Sequence, residues 1–495
     1  MNRFNIFMAI RRNIIFAIST AFLVVFMLAV CPVTGQNTSK WTDKVQVVLD
    51  NMVPLGYDRG NGLPLCLWPA IDPGELDDKA AESLVKEFNS RGVGIVCSWG
   101  TGDTQKILSR CLKIARAQKK LGERVNIDAT SLLNSFFNGD ERTAHMDENS
   151  KPFFDDSFGP HKMGCAFAID FRKNEIRERV ELFVNKYKAE GLPIDFIFTD
   201  WEIDGPIEVN RAFEASGKCT RCRSNMGNGF SFTEFQKTMR EMRSYLLNYS
   251  YSSPVLSKFP GALVGNYAVY PNDGYRYWYD YFEYYVDGQP YKADQHAKYR
   301  QWQNDFPLTG FTVAMPVVYT WDQIFNWYDY ENTDYRWFYN MLLVASNAGK
   351  STPQCVPIVS FVHWHTILLS GKSGTELKQM SGECYQELLW HMLFRGTDTF
   401  FMWAESDEFP EEVRLLQEVY ASAQQYGKFL DHGIPVTFDV PKKAGTVISG
   451  LALGDSVLIR RTDFGTNHEP VKIRVGTKNI TVDYSPKICR VIALE

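Results

Sequence analysis

Three carboxylates, Asp200, Glu202 and Asp204, crowd into five residues of the stretch "IDFIFTDWEIDGP" (Ile194 to Pro206). The first half of that stretch, rich in Ile and Phe, reads as a buried strand. A strand alternates its faces, so Asp200 and Glu202 should point the same way, with Trp201 opposed. Two acids on one face at the lip of a core repel each other, and an ionised Asp200 would raise the pKa of Glu202. Glu202 would then stay protonated near neutrality, as a general acid must. The same acids would also suit an acidic loop that begins where a strand reaches water. From this stretch alone both readings stand.

Chemistry of this kind needs elements that hold it in place, and the chain supplies them in a repeating order. Short apolar runs alternate with stretches of helical period, the signature of repeated β–α units. The strand candidates are "LPLCLWPAID", "VGIVCSWG", "RVNIDATSLL", "IDFIFTDWE", "ALVGNYAVYP", "FTVAMPVVYT", "CVPIVSFVHW" and "TDTFFMWAES". The helical stretches "ELDDKAAESLVKEFNSRG" and "TQKILSRCLKIARAQKKLG" each end in a Gly suited to a C-cap. Eight such units predict an α/β fold, a (β/α)8 TIM barrel. A doubly wound open sheet would carry a Gly-rich phosphate turn after an early strand, and none is present. Near Gly433 the period changes to short alternating runs separated by turns such as "LGDS" and "GTKN", which predicts a small all-β sandwich. The expected divisions are a signal peptide over 1–35, a linker over 36–60, a catalytic barrel over 61–432 and the sandwich over 433–495.

In a barrel of this type the site is built at the C-terminal ends of the strands. In chain order these ends offer Trp68, Trp99, Asp128, the Asp200/Glu202/Asp204 group, Asn266 with Tyr267, Tyr319, His363 with His365, and Trp403 with Glu405. Aromatic faces stack on sugar rings, and carboxylates cleave glycosidic bonds, so the set points to a carbohydrate substrate. His363 and His365 lie two apart on a strand, but zinc would need a third ligand, so they are expected to bond sugar hydroxyls or brace a carboxylate. Cys219 and Cys222 in "KCTRCRSN" lack a second such pair, which favours a loop-tying disulfide or two free thiols over a metal. No metal and no cofactor is expected. The motif search finds no Walker loop, no nucleophile elbow and no HExxH.

The chain has 495 residues, 45% hydrophobic and 14% aromatic, enough for a large core and for stacking flat ligands. A formal net charge of -5 offers no basic footprint for nucleic acid. The start of the chain combines Arg3, Arg11 and Arg12 with the apolar run "IIFAISTAFLVVFMLAV" and a small-residue exit before Gln36. This predicts an export signal, hence a secreted or periplasmic monomer with no stable membrane insertion after cleavage, while an uncleaved anchor helix is the competing reading.

The triplet in "TDWEIDGP" resembles the Asp-Trp-Glu motif that ends the fourth strand in the hyaluronidase type of glycoside hydrolase. "GALVGNYAVYPNDGYRY" is similar to that family's aromatic fifth-strand segment, "VPIVSFVHW" to its penultimate strand, and "ECYQELLWHMLFRGTDTFFMWAES" to its last helix and strand. The resemblance covers about half the chain. It implies a retaining mechanism assisted by the substrate's own 2-acetamido group, with Glu202 as general acid/base and Asp200 orienting the acetamido. Tyr267 or Tyr319 would brace that group. Glu405 departs from the family pattern and opens an alternative: a glycan without acetamido groups, cleaved by Glu202 with Glu405 as second carboxylate. A carbohydrate-binding barrel without catalysis is a third reading, against which the intact Asp200/Glu202 pair speaks.

Overall fold

The computed structural model describes residues 41–68, 74–133, 139–158, 161–201, 210–267, 269–274, 285–286, 289–290, 301–319, 328, 330–365, 378–403, 409–466 and 468–494. The predicted export segment, Glu202, Asp204 and Glu405 lie outside the described residues. Lys40–Glu495 form one compact unit. Among the described residues no helix is long and apolar enough to cross a membrane.

Parallel strands and helices alternate as the apolar runs predict. One parallel sheet contains Val317–Val318, Val359–Val362, Thr399–Trp403, Leu65–Trp68 and Val93–Gly94, in that order. The other runs Leu263–Asn266, Phe196–Thr199, Asn126–Asp128, Val96–Ser98. The segment from Val93 to Ser98 serves both sheets, so the strand order follows that of a (β/α)8 barrel. The regular ladder does not close the ring on the far side. There the two sheets are joined through Thr312, whose N–H donates to the Val264 carbonyl at 3.0 Å and whose Oγ1 accepts from the Val264 N–H at 2.8 Å. The predicted sixth strand "FTVAMPVVYT" is shortened to Val317–Val318, since Pro316 has no N–H to give a ladder.

Helix signals in the sequence are used where they fall. Asp77 accepts from the Ala80 N–H at 2.8 Å and starts the helix Asp78–Asn89, and Gly92 leaves it at φ +76°. A side chain at Gly92 would meet the Tyr420 ring at 2.6 Å, so both backbone angle and space demand glycine. A later helix runs over Gly382–Leu393. Ser381 caps it through the Cys384 N–H and is itself held by Asp334 at 2.7 and 2.8 Å.

After Gly433 the chain is antiparallel. Ile434–Pro435, Thr446–Leu453, Ser456–Asp463 and Cys489–Ala493 form a four-stranded sheet, and Val471–Val475 pairs with Lys478–Val482 as a hairpin. "LGDS" and "GTKN" are two-residue turns with Gly454 at φ +57° and Gly476 at φ +60°. Sheet and hairpin share a small core of Ile448, Val457, Ile459, Val475, Ile480 and Val482.

The sheet docks on the helix Gly382–Leu393 through polar side chains. His391, wholly buried, holds Ser449 Oγ at 2.7 Å through Nδ1 and Thr462 Oγ1 at 2.9 Å through Nε2. Burial pushes its pKa well below the usual imidazole range, and the nearby Arg395 and Arg460 push it further down. Below about pH 6.5 the unfolded imidazole binds a proton that the folded one refuses, so stability falls as pH drops through that value. Denaturant unfolding should therefore lose up to about 1.4 kcal/mol per pH unit below about pH 6.5 from this one group. His391→Gln, which keeps donor and acceptor but cannot titrate, should remove that part of the slope; an unchanged slope would show that His391 is not its source.

Candidate active site

The Phe196–Thr199 strand sets the direction of the acids. Phe196 and Phe198 turn into the barrel, Phe198 meeting Phe401 at 4.6 Å between ring centroids and Trp68 at 5.6 Å. Trp201 is fully buried on the other side, where the Arg243 guanidinium lies 5.4 Å from its ring. With Phe198 inside and Trp201 outside, Asp200 begins on the inner face, at the C-terminal end of the strand. Its N–H donates to Thr130 Oγ1 at 2.9 Å, which fixes the backbone at that point.

Asp128 ends the neighbouring strand and is almost wholly buried. Its Oδ2 accepts from Trp68 Nε1 at 3.1 Å and from Ser98 Oγ at 2.9 Å, and its Oδ1 from the Thr130 N–H at 2.9 Å. One carboxylate thus ties the ends of three strands together and holds Thr130, which in turn holds Asp200. Asp128 is a positioning group in this arrangement. Its place at the strand end was readable from the sequence; Ser98 and Thr130 were missed, since neither carries a motif.

The inner face continues as a bowl of rings. Tyr267 stacks on Phe361 at 4.7 Å and 8° between planes, and Tyr319 lies 5.4 Å from Trp403. Trp403 meets His363 at 4.9 Å, and His363 meets His365 at 5.6 Å. Trp68 and Trp403 face each other in strand register. Trp68, Asp128, Asp200, Tyr267, Tyr319, His363, His365 and Trp403 are therefore brought to one mouth, floored by Phe198, Phe361 and Phe401.

Two expected site residues are placed elsewhere. Trp99 is buried between sheet and helix, stacked on Phe183 at 5.0 Å and beside Tyr187 at 5.4 Å. It lies past the end of its strand, Val96–Ser98, and fills the outer layer. Asn266 pairs in register with Thr199, on the face opposite Phe198 and Tyr267, and is wholly buried there. Gly265 takes the inward position next to it, where a side chain would strike Val313 at 2.6 Å.

Glu412 was invisible in the sequence. It sits in the first turn of the helix Phe409–Ala423, fully buried, with Oε2 3.1 Å from His363 Nδ1 and 3.9 Å from His365 Nε2. Its Oε1 accepts from the Trp364 N–H at 2.7 Å. The two histidines thus flank a buried carboxylate. Only its apolar surroundings in "EEVRLLQEV" hinted at burial.

Of the two cysteine expectations, the free thiols hold and the disulfide does not. Cys219 and Cys222 form no disulfide with each other. Their sulfurs converge with Cys165 and His145, all four buried, with the ligand atoms within 4.8 Å of one another.

No protein-family model and no curated protein matches the chain. Among solved structures it is similar to α-L-fucosidase isoenzyme 2 from Paenibacillus thiaminolyticus, with 13% identity over 72% of this chain and 47% of that one, at a TM-score of 0.42. A family 36 α-galactosidase from Geobacillus stearothermophilus is 9% identical over 87% of this chain and 55% of that one, at 0.43. Bee venom hyaluronidase is 15% identical over 54% of this chain and 81% of its own, at 0.33. The chain spans about half the length of the fucosidase and galactosidase chains it matches.

Proposed function

We propose that this chain is a glycoside hydrolase acting on a glycan that contains 2-acetamido sugars. The observation that carries this reading is the inward turn of the strand end at Asp200, flanked by Asp128 and an aromatic bowl. Glu202, two residues after Asp200 in the sequence, is the carboxyl we assign as general acid. In the proposed reaction Glu202 protonates the leaving oxygen as the acetamido carbonyl oxygen attacks the anomeric carbon. Asp200 accepts from the acetamido N–H and stabilises its developing positive charge. Water, deprotonated by Glu202, then opens the cyclic intermediate with net retention. Tyr267 or Tyr319 braces the acetamido from the bowl.

A second reading has its own support. Phe401 and Trp403 face inward at the end of the last strand, and Glu405, two residues on in the sequence, would serve as second carboxylate for a glycan without acetamido groups. Release of reducing ends from a panel divided into acetamido and non-acetamido polymers separates the two. Cleavage confined to the acetamido polymers is expected. Cleavage confined to the others would sink substrate assistance and promote Glu405, and retained binding without any cleavage would leave a carbohydrate-binding barrel.

A further inference from the structure

We propose that His145, Cys165, Cys219 and Cys222 form a structural zinc site. Three thiols and one imidazole meet in a pocket shut from solvent, with relative exposures of 2%, 0%, 0% and 1% in that order. Cys165 Sγ lies 3.6 Å from Cys222 Sγ, and Cys222 Sγ lies 3.9 Å from His145 Nδ1. Tetrahedral zinc, with Zn–S near 2.3 Å and Zn–N near 2.0–2.1 Å, separates two sulfurs by about 3.8 Å and a sulfur from a nitrogen by about 3.5 Å. The observed separations match a metal's ligand shell. They are far too long for a bond between sulfurs, which is about 2.05 Å.

The surroundings fit the same assignment. With Nδ1 turned to the sulfurs, His145 Nε2 faces Asp155 Oδ2 at 3.7 Å. A ligating histidine with a carboxylate behind its other nitrogen is the usual arrangement around zinc, since it fixes tautomer and ring orientation. The Phe153 ring stacks on the imidazole at 5.2 Å and 22° and holds its plane. An odd number of buried cysteines also argues against disulfides, because any pair would strand the third thiol beside the histidine.

The ligands belong to two loops that leave adjacent strands. His145 and Cys165 follow the strand Asn126–Asp128, and Cys219 and Cys222 follow Phe196–Thr199. Cys219 precedes the short helix Thr220–Met226 and Cys222 lies within it. Arg221 donates to the Ala144 carbonyl at 3.0 Å, Thr220 to the Met146 carbonyl at 3.2 Å, and Cys165 N–H to the Thr143 carbonyl at 2.8 Å. Four protein ligands leave no open position, so the ion clamps and does not act as Lewis acid. It clamps the two loops that follow Asp128 and Asp200. Zinc is the ion favoured by three thiolates and an imidazole in a closed tetrahedral set.

The test is the metal content of the full chain, purified without chelator and measured by plasma mass spectrometry. One zinc per chain is expected, falling to near zero in Cys165→Ser and Cys222→Ser. Because loss of a ligand can itself prevent folding, the wild-type protein supplies the second measurement. Titration of its thiols with a mercurial, in the presence of a colorimetric zinc indicator, should release one zinc as the cluster's thiols react. Cobalt bound in place of zinc should show the intense visible bands of tetrahedral thiolate coordination. Wild-type protein without stoichiometric metal, or with a disulfide within the cluster by intact mass, would overturn the assignment. The result does not depend on the glycosidase reading.

Discussion

Glu202→Gln should slow hydrolysis of an acetamido polymer by about 10²- to 10⁴-fold, the usual worth of a positioned general acid. The loss in kcat/KM, which reports the step up to the cyclic intermediate, should be far smaller on a 2-acetamido glycoside with a nitrophenyl leaving group, because a stable phenolate departs without a proton. By contrast, kcat should fall on both, because Glu202 also activates the water. Asp200→Asn should slow both substrates, since its task is to hold the acetamido in line for attack whatever the leaving group. The fold should tolerate that exchange. Asp200 is anchored through its backbone N–H to Thr130 Oγ1, and Thr130 is fixed by Asp128, so the contact that positions the strand end survives. Steady-state rates on the two substrates, with unfolding curves as control, decide the matter. A Glu202→Gln enzyme whose kcat/KM falls equally on both substrates, or on neither, would remove Glu202 from the role of acid.

Glu387→Ala should destabilise the protein by about 3–5 kcal/mol, the range for stranding one partner of a buried ion pair. Glu387 accepts from Arg460 Nε at 3.0 Å and from its Nη2, and Thr462 Oγ1 donates to the same carboxylate. Arg460 and Glu387 are 4% and 8% exposed, so the stranded guanidinium would stay largely out of water. The remaining guanidinium would face the Trp390 ring at 5.1 Å and Cys489 Sγ at 3.5 Å. Neither is an anion that could compensate. A double variant, Glu387→Ala with Arg460→Met, should recover much of the loss, because it removes the stranded charge along with its partner. Urea unfolding of the single and double variants measures the difference. A cost below about 1 kcal/mol for the single variant would mean the pair behaves as an exposed one and does not hold the sheet to its helix.

The two predictions draw unequally on sequence and structure. The side on which Asp200 begins was readable because a strand's period of two is a local property, visible in Phe196, Phe198 and Trp201 without knowledge of any neighbour. Arg460 and Glu387 were not. Each sits in an ordinary amphipathic stretch 73 residues from the other, and only docking of the sheet on its helix brings them together. The same holds for Glu412, which the sequence left beside Glu411 in an unremarked helix start. It is marked out only by His363 and His365, supplied by a strand some fifty residues earlier.

Trp99 and Asn266 show the opposite error. Both stood where a strand should end, and both are aromatic or polar in the way a sugar site needs. The face each one occupies follows from register, Asn266 against Thr199 and Trp99 past Ser98, and one residue of shift sends a side chain to the other side of the sheet.

The sequence by itself determined the alternation of strands and helices, the glycines that end helices at positive φ, the change to antiparallel hairpins after Gly433, and the side on which Asp200 begins. These follow from backbone sterics and from the periods of helix and strand, which act within a few residues. Tertiary structure alone decided which singletons meet: Asp128 with Trp68 and Ser98, Glu412 with two histidines, and His145 and Cys165 with Cys219 and Cys222. Those encounters depend on how loops of different strands fold back over the barrel mouth, and no local period encodes the path.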